Sequence, residues 1–313
     1  MTTPLNWRSK ILLFKIEVTY GLDPVPVVAT DAILATDVQL RPMEGSDVNR
    51  DLDLPYYGPQ GTIPNELHQK LSFKVELAPS GTAGTAPAWG PLLRACGCAQ
   101  TVNAGTNVIY NPITDNQASG TFYIWIGTTR YAITGCRGTA KFTINAQGIP
   151  YIEFEFTGLF TQPAETARGN PVLTAFRAPR VVSSANTPTF TINGVSLVMR
   201  TFQLDLGNQV EPRFLVGAEG ILITQREDMI KTQVEAEALT LINPFQLAAA
   251  QTAVAVNLVH GIGAGNIATL NAPTAQMQRP QGLENAQGIK EWPLSLQPLP
   301  TGAGNNQWTL TLT

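Results

Sequence analysis

The chain has 313 residues, of which 14% are charged and 43% hydrophobic, and its net charge is −3. That charge content lies well below the roughly 25% of an ordinary soluble domain, while the hydrophobic content excludes a disordered chain. The near balance of 20 basic and 23 acidic residues argues against binding nucleic acid through its phosphates, which needs clustered Lys and Arg. A chain of this length buries roughly three quarters of its unfolded surface, so the outside that remains is poor in charge. Either much of that outside is covered by other protein, or the chain is a β-rich domain coated in Thr, Asn and Gln.

From the N-terminus, Ile11 to Phe14 is apolar but Lys15 interrupts it after four residues, too short for the core of an export signal. No apolar run along the chain approaches the 18 or more residues of a membrane span. Ile33 to Leu40 alternates, with Leu34, Val38 and Leu40 on one face and Asp37 and Gln39 on the other, the period of a half-buried strand. Glu44 to Glu66 is rich in Gly, Pro, Asp and Asn and predicts a long loop carrying Asp47, Arg50, Asp51, Asp53, Tyr56 and Tyr57. Loops of that length are uncommon unless they do something. Ser72 to Leu77 sets Phe73, Val75 and Leu77 against Lys74 and Glu76, and Thr82 to Gly90 reads as a second loop. A short helix is expected from Pro91 to Cys96, with Pro91 suited to the first turn.

Thr121 to Ile126 is a more continuously apolar strand, and Tyr151 to Phe156 sets Ile152, Phe154 and Phe156 against Glu153 and Glu155. Thr189 to Met199 reads as a hairpin, because Asn193-Gly194 supplies the two positive φ angles of a type I′ turn. A further short helical turn is expected at Thr224 to Lys231, and a helix from Pro244 to Thr252.

An internal repeat organises these pieces. Asn145-Ala146-Gln147-Gly148-Ile149 recurs as Asn285-Ala286-Gln287-Gly288-Ile289. Gln39-Leu40 pairs with Gln203-Leu204, followed by Val48 or Val210 and then Arg50 or Arg213. Val75-Glu76 pairs with Val234-Glu235, and Pro91 with Pro244. The spacing between matched positions shrinks steadily along the chain, as expected for a second copy with shorter loops. The boundary falls in Gln162 to Pro171, giving domains 1–168 and 169–313. The expected fold is mainly β: two tandem sandwich or half-barrel domains, each with a short packed helix, related by internal duplication.

Catalytic patterns are scarce. The two histidines, His68 and His260, lack a Gly-x-Ser-x-Gly elbow. Gly261 to Gly265 lacks dinucleotide-loop spacing, and Glu153 and Glu155 share one strand face rather than facing each other across a substrate. Cys96, Cys98 and Cys136 are an odd number without a framework and read as free thiols in a reducing compartment. The Cys96-Gly97-Cys98 pair lacks the further ligands of a metal site. No enzyme activity, cofactor or metal is expected.

Several segments resemble the major tail tube proteins of long flexible-tailed, siphovirus-type bacteriophages. Glu17-Val18-Thr19-Tyr20-Gly21 resembles their opening strand and Tyr-Gly turn, and Asp23-Pro24-Val25-Pro26 their proline segment. Arg41-Pro42-Met43-Glu44-Gly45 resembles the corner that follows, before a long loop, the strand Phe73 to Leu77, the small-residue helix Pro91 to Cys98, and a hairpin around Asn145 to Ile149. The likeness covers residues 10–160 directly and the rest through the repeat.

The resemblance implies a virion subunit, made in the host cytoplasm, that forms stacked rings whose inner strands line a channel for DNA. DNA passes through without specific binding, and tape-measure, tail-terminator and distal tail proteins are the implied neighbours. A duplicated chain implies trimeric rings with six equivalent places, with a hexamer as the alternative. The polar strand faces give a candidate lining of Asp37, Gln39, Lys74, Glu76, Glu153 and Glu155, and in the second copy Gln203, Asp205, Glu235 and Glu237. The loop carrying Asp47, Arg50, Asp51, Asp53, Tyr56 and Tyr57 is the candidate ring-stacking element. The alternative reading is a β-rich baseplate or decoration adhesin that grips carbohydrate or receptor with Tyr56, Tyr57 and Trp89.

Overall fold

Period-two alternation dominates the sequence and is realised as strands that bury one face. The computed structural model describes residues 6–313. The N-terminal half contains β1 (Lys10–Ile16), β2 (Thr36–Asn49), β3 (Thr62–Glu76), helix α1 (Gly90–Ala95), β4 (Cys98–Asn103), β5 (Asn107–Pro112), β6 (Gly120–Ile126), β7 (Thr129–Asn145), β8 (Tyr151–Phe160) and β9 (Ala164–Glu165). The C-terminal half begins with β10 (Thr189–Ile192), β11 (Val195–Ser196), β12 (Met199–Asp205), β13 (Asn208–Leu215), β14 (Ala218–Arg226) and β15 (Met229–Glu235). It continues with helix α2 (Pro244–Ala249), β16 (Ala253–His260), β17 (Ala268–Met277), β18 (Glu284–Ala286), β19 (Ile289–Pro298) and β20 (Thr309–Leu312). The fold is mainly β, as the alternation predicts.

Hydrogen-bonded neighbours in the N-terminal half run β1, β6, β7, β8, β3, β2. Those in the C-terminal half run β10, β16, β17, β19, β15, β12. Each helix lies between corresponding strands, α1 after β3 and α2 after β15. The β4–β5 hairpin is extra to the first half.

Among the described residues, two strand pairings join the halves. The first part of β7 pairs with β6, but its last residues, Lys141 to Asn145, pair with β12. The C-terminal strand β20 sits between β17 and β5. One apolar core therefore runs through both halves, containing Phe73, Phe142, Phe156, Phe202, Leu294 and Trp308. Burying each such side chain contributes about 1.5–3 kcal/mol. β6 buries both faces: Phe122 and Ile124 enter this core, while Tyr123 and Trp125 meet Ile11, Leu13 and Ala32 in a smaller cluster. That explains its unbroken apolar sequence.

Several local expectations need correction. Glu44 to Glu66 is not one long loop: β2 and β3 continue outward as a two-stranded arm, with Asp47 opposite Pro64 and Val48 opposite Ile63. Only residues 50–61 lie outside the two strands. The arm is exposed on both faces, so it carries no apolar alternation by which a strand is recognised. Thr224 to Lys231 forms no helical turn; it is the end of β14, a short turn and the start of β15. The Asn193-Gly194 turn is present, with φ of 54° and 76°. Pro91 lies in the first turn of α1, as expected, and Asn243 caps α2, its Oδ1 accepting from Gln246 N at 3.0 Å.

Candidate assembly and channel surface

Strands β2, β3, β8, β7, β12 and β15 lie side by side, and their second face is polar. Across it Lys74 stands opposite Glu153, which in turn stands opposite Lys141, and Lys141 stands opposite Asp205. One residue pair along, Gln39 faces Ser72, Ser72 faces Glu155, and Glu155 faces Thr139. Asp37, Gln39, Lys74, Glu153, Glu155 and Asp205 thus line one open concavity. Gln203 joins the same face between Thr143 and Lys231, and Glu76 stands opposite Tyr151 at the end of β3. Glu235 ends β15 opposite Glu291.

Glu237 departs from expectation. It lies beyond β15 in an exposed turn and belongs to no strand face, because pairing with β19 ends at Glu235. The expected face also omits bases that cross-strand pairing adds, among them Lys141, Lys231, Arg41 and Lys70. Two lysines on this face are partnered: Lys74 Nζ lies 3.4 Å from Asp37 and Lys141 Nζ 3.2 Å from Glu153. The face is therefore a mixed lattice of acids and bases rather than a uniformly acidic wall.

Where β12 and β15 meet β19, Arg200 Nε donates to both oxygens of Glu291 at 2.9 and 2.8 Å, and Gln233 Nε2 donates to one at 2.7 Å. The Arg200 hydrogen bonds hold the Glu291 carboxyl below its ordinary range. Nothing in the alternation pattern announces this cluster.

Of the candidate stacking residues, Asp47 lies in β2, while Arg50, Asp51, Asp53, Tyr56 and Tyr57 occupy the tip of the arm. The tip is closed by Gln60, whose Oε1 accepts from Leu52 N at 2.8 Å and whose Nε2 donates to Leu52 O at 2.6 Å. Tyr56 and Tyr57 are exposed, but Trp89 is 1% exposed and its Nε1 donates to Ala78 O at 2.8 Å. The three aromatics therefore form no common platform, because Trp89 is a core residue against Tyr110.

The C-terminal half has its own arm, the hairpin β13–β14, and this one is docked. Asn208 Nδ2 donates to Gly138 O at 2.9 Å and Cys96 O at 2.8 Å, and Arg137 Nη1 donates to Ile221 O at 2.8 Å. Tyr20 Oη accepts from Ile221 N at 2.5 Å and donates to Gly135 O at 3.2 Å. The Glu17 to Gly21 segment is built for this. Buried Glu17 accepts from Gly21 N, Ser119 Oγ, Thr121 Oγ1 and Gly135 N, all within 2.6–2.8 Å, fixing Tyr20 beneath the hairpin.

Cys96, Cys98 and Cys136 are buried free thiols, and burial pushes Cys98 up to about 12. Among the described residues no three His, Cys, Asp or Glu side chains are grouped to hold a metal ion. His68 lies 6.5 Å from Phe214, and buried His260 is hydrogen-bonded to Thr187 at 2.9 Å. Among the described residues no helix is long and apolar enough to cross a membrane.

A half-buried polar sheet with open outer strands, an internal strand-to-strand seam and a projecting arm defines a β-structural subunit built to associate. The family model for phage tail tube proteins matches residues 7–300, and the chain belongs to that family. It is a structural subunit of a bacteriophage tail tube, a component of the virion tail. Comparison with curated proteins gave no match.

Proposed function

We propose that three chains close a ring of six equivalent places, each chain filling two, and that such rings stack into the channel through which DNA is ejected. The carrying observation is the β7·β12 seam, which joins the two halves edge to edge into one sheet with a continuous polar face. The shared pairing order of the halves supports their origin by duplication and their division near residue 168. Closure of the ring removes the open edges, which are aggregation hazards in a strand-rich chain with little charge.

In this arrangement the polar face lines the channel. Lys74 and Lys141 are matched by acids, which limits the counterion release that duplex DNA gains from the wall and lets it slide. The β2–β3 arm reaches the adjacent ring. The role is structural rather than enzymatic, and tape-measure, tail-terminator and distal tail proteins meet the ends of the tube after synthesis in the host cytoplasm. Purified protein imaged by electron microscopy, with mass measured by light scattering, tests this: the expected result is rings or tubes with three chains per ring. Six chains per ring, or a persistent monomer, would overturn it.

A further inference from the structure

The seam inside the chain also specifies the seam between chains. We infer that the open edge of β2 pairs antiparallel with the open edge at Gly282–Ala286 of a second copy, with Leu40 opposite Leu283 and Gln39 opposite Glu284. This deepens the ring reading and rests on it.

The register comes from superimposing the filled seam on the open edges. In the filled seam Leu204 of β12 stands opposite Phe142 of β7, and Gln203 opposite Thr143. Gln39-Leu40 holds the place in β2 that Gln203-Leu204 holds in β12: the first pair faces Ser72-Leu71 of β3, the second Lys231-Ile230 of β15. On the other side, Phe142 stands opposite Ile152, three residues beyond the Asn145–Ile149 turn segment. Trp292 lies three residues beyond the matching Asn285–Ile289 segment. The β18·β19 register, Asn285 with Lys290 and Glu284 with Glu291, carries Leu283 to the place opposite Trp292. Leu283 is therefore the counterpart of Phe142.

Burial at the two seams differs in the way this requires. Phe142, Phe202 and Leu204 are each 1% exposed or less. Their counterparts at the open edges are not covered: Leu283 is 59% exposed, and Val38 and Leu40 are only half-buried. Side chains alternate across a strand, so a one-residue slip would turn Leu283 to the polar face. The inferred register puts Leu283, Val38 and Leu40 on the apolar side together and sets Arg41 diagonally across from Glu284.

Backbone groups agree with it. In the filled seam Ala146 N donates to Arg200 O and Leu206 N to Ala140 O, so even-numbered positions of β12 bond across the seam. Val38, counterpart of Phe202, has its carbonyl turned to a side-chain donor, Lys10 Nζ at 2.7 Å, a cover that a strand can replace. Pro42, counterpart of Leu206, has no N–H, so pairing stops at Arg41.

Because the two surfaces differ, the contact is head-to-tail and closes only by rotation into a ring. Gln39 and Glu284 then form a non-hydrogen-bonded pair, like Gln203 and Thr143. Their Cβ atoms should lie about 4.5–5.5 Å apart, near enough for a disulfide after small backbone adjustment.

The test is the full chain carrying Gln39→Cys and Glu284→Cys, oxidised after assembly and run without reductant. Both sites are polar and exposed, and the native thiols are buried. The expected result is loss of the single-chain band into covalent oligomers that include a closed ring. Gln39→Cys combined with Gly282→Cys or Ala286→Cys, two residues out of register, should give little. Tubes that form but cross-link through a slipped pair, or not at all, overturn the register and leave the tube reading standing. A chain that forms neither rings nor tubes overturns the tube reading, and the register falls with it.

Discussion

Phe142 of β7 stands directly opposite Leu204 of β12, and neither is more than 1% exposed. The pair lies at the centre of the seam between the halves, with Trp308 edge-on to Phe142 at 6.2 Å. Since one core spans both halves, the chain should unfold in a single cooperative step. Phe142→Ala should cost about 3–5 kcal/mol while keeping that single step. Urea unfolding followed by tryptophan fluorescence and circular dichroism checks both; two separated transitions in the unaltered protein would mean that the halves hold together independently.

The arm gives a second prediction. Its tip, 50–61, is exposed throughout and displays Tyr56, Tyr57, Leu52 and Leu54 to solvent. Replacing 50–61 by Asn-Gly, a turn that suits a two-residue hairpin, should leave the melting temperature within a few degrees of the parent and should still allow single rings. Long tubes should be lost. Normal tube lengths in electron micrographs of this variant would separate the arm from stacking.

The contrast between the two arms shows what a sequence of this kind reveals. Strands with one buried face, such as Phe73–Val75 or Ile152–Phe156, were legible because burial imposes a period of two. The β2–β3 arm was not, because with both faces exposed nothing in Glu44 to Glu66 alternates. The polar face was legible strand by strand, but its continuation from Lys141 to Asp205 rests on a pairing that is remote in sequence. Likewise Arg200 and Glu291 lie far apart in the chain, and only the register of β15 with β19 brings them together. Turn chemistry read well at Asn193-Gly194, where two adjacent positive φ angles leave few other residues possible.

Arg200 and Glu291 make stability depend on acid. The Glu291 carboxyl titrates below its unfolded value because Arg200 and Gln233 hydrogen-bond the charged form. The folded state therefore binds the proton less readily than the unfolded one, and the pair's contribution is complete above the unfolded carboxyl range, near pH 4.5. It is lost as pH falls from there through the lowered folded value. Arg200→Ala should destabilise the chain at neutral pH, since it leaves a 1% exposed carboxylate with Gln233 alone. It should also flatten the acid limb between about pH 5 and 3. Thermal melts across that range check both, and an unchanged acid limb would mean that Glu291 keeps its charge without Arg200.

Charge reversal on the polar face tests the channel, and Glu155 is the position to reverse. Glu153 lies between Lys74 and Lys141, so a lysine there would meet two others and damage the sheet itself. Glu155 lies between Ser72 and Thr139 and is exposed, so Glu155→Lys removes no ion pair and buries no charge. Its effect on stability should stay within about 0.5 kcal/mol, as for other surface changes. Repeated round every ring, however, it adds unmatched cations to the wall. Each phosphate contact that forms should steepen the salt dependence of DNA retention by about one unit of the log–log slope. Phage assembled with this variant should therefore eject DNA more slowly in dilute buffer and recover at high salt. Equal ejection rates at both salt concentrations, from tubes of normal length, would place the polar face away from the DNA path.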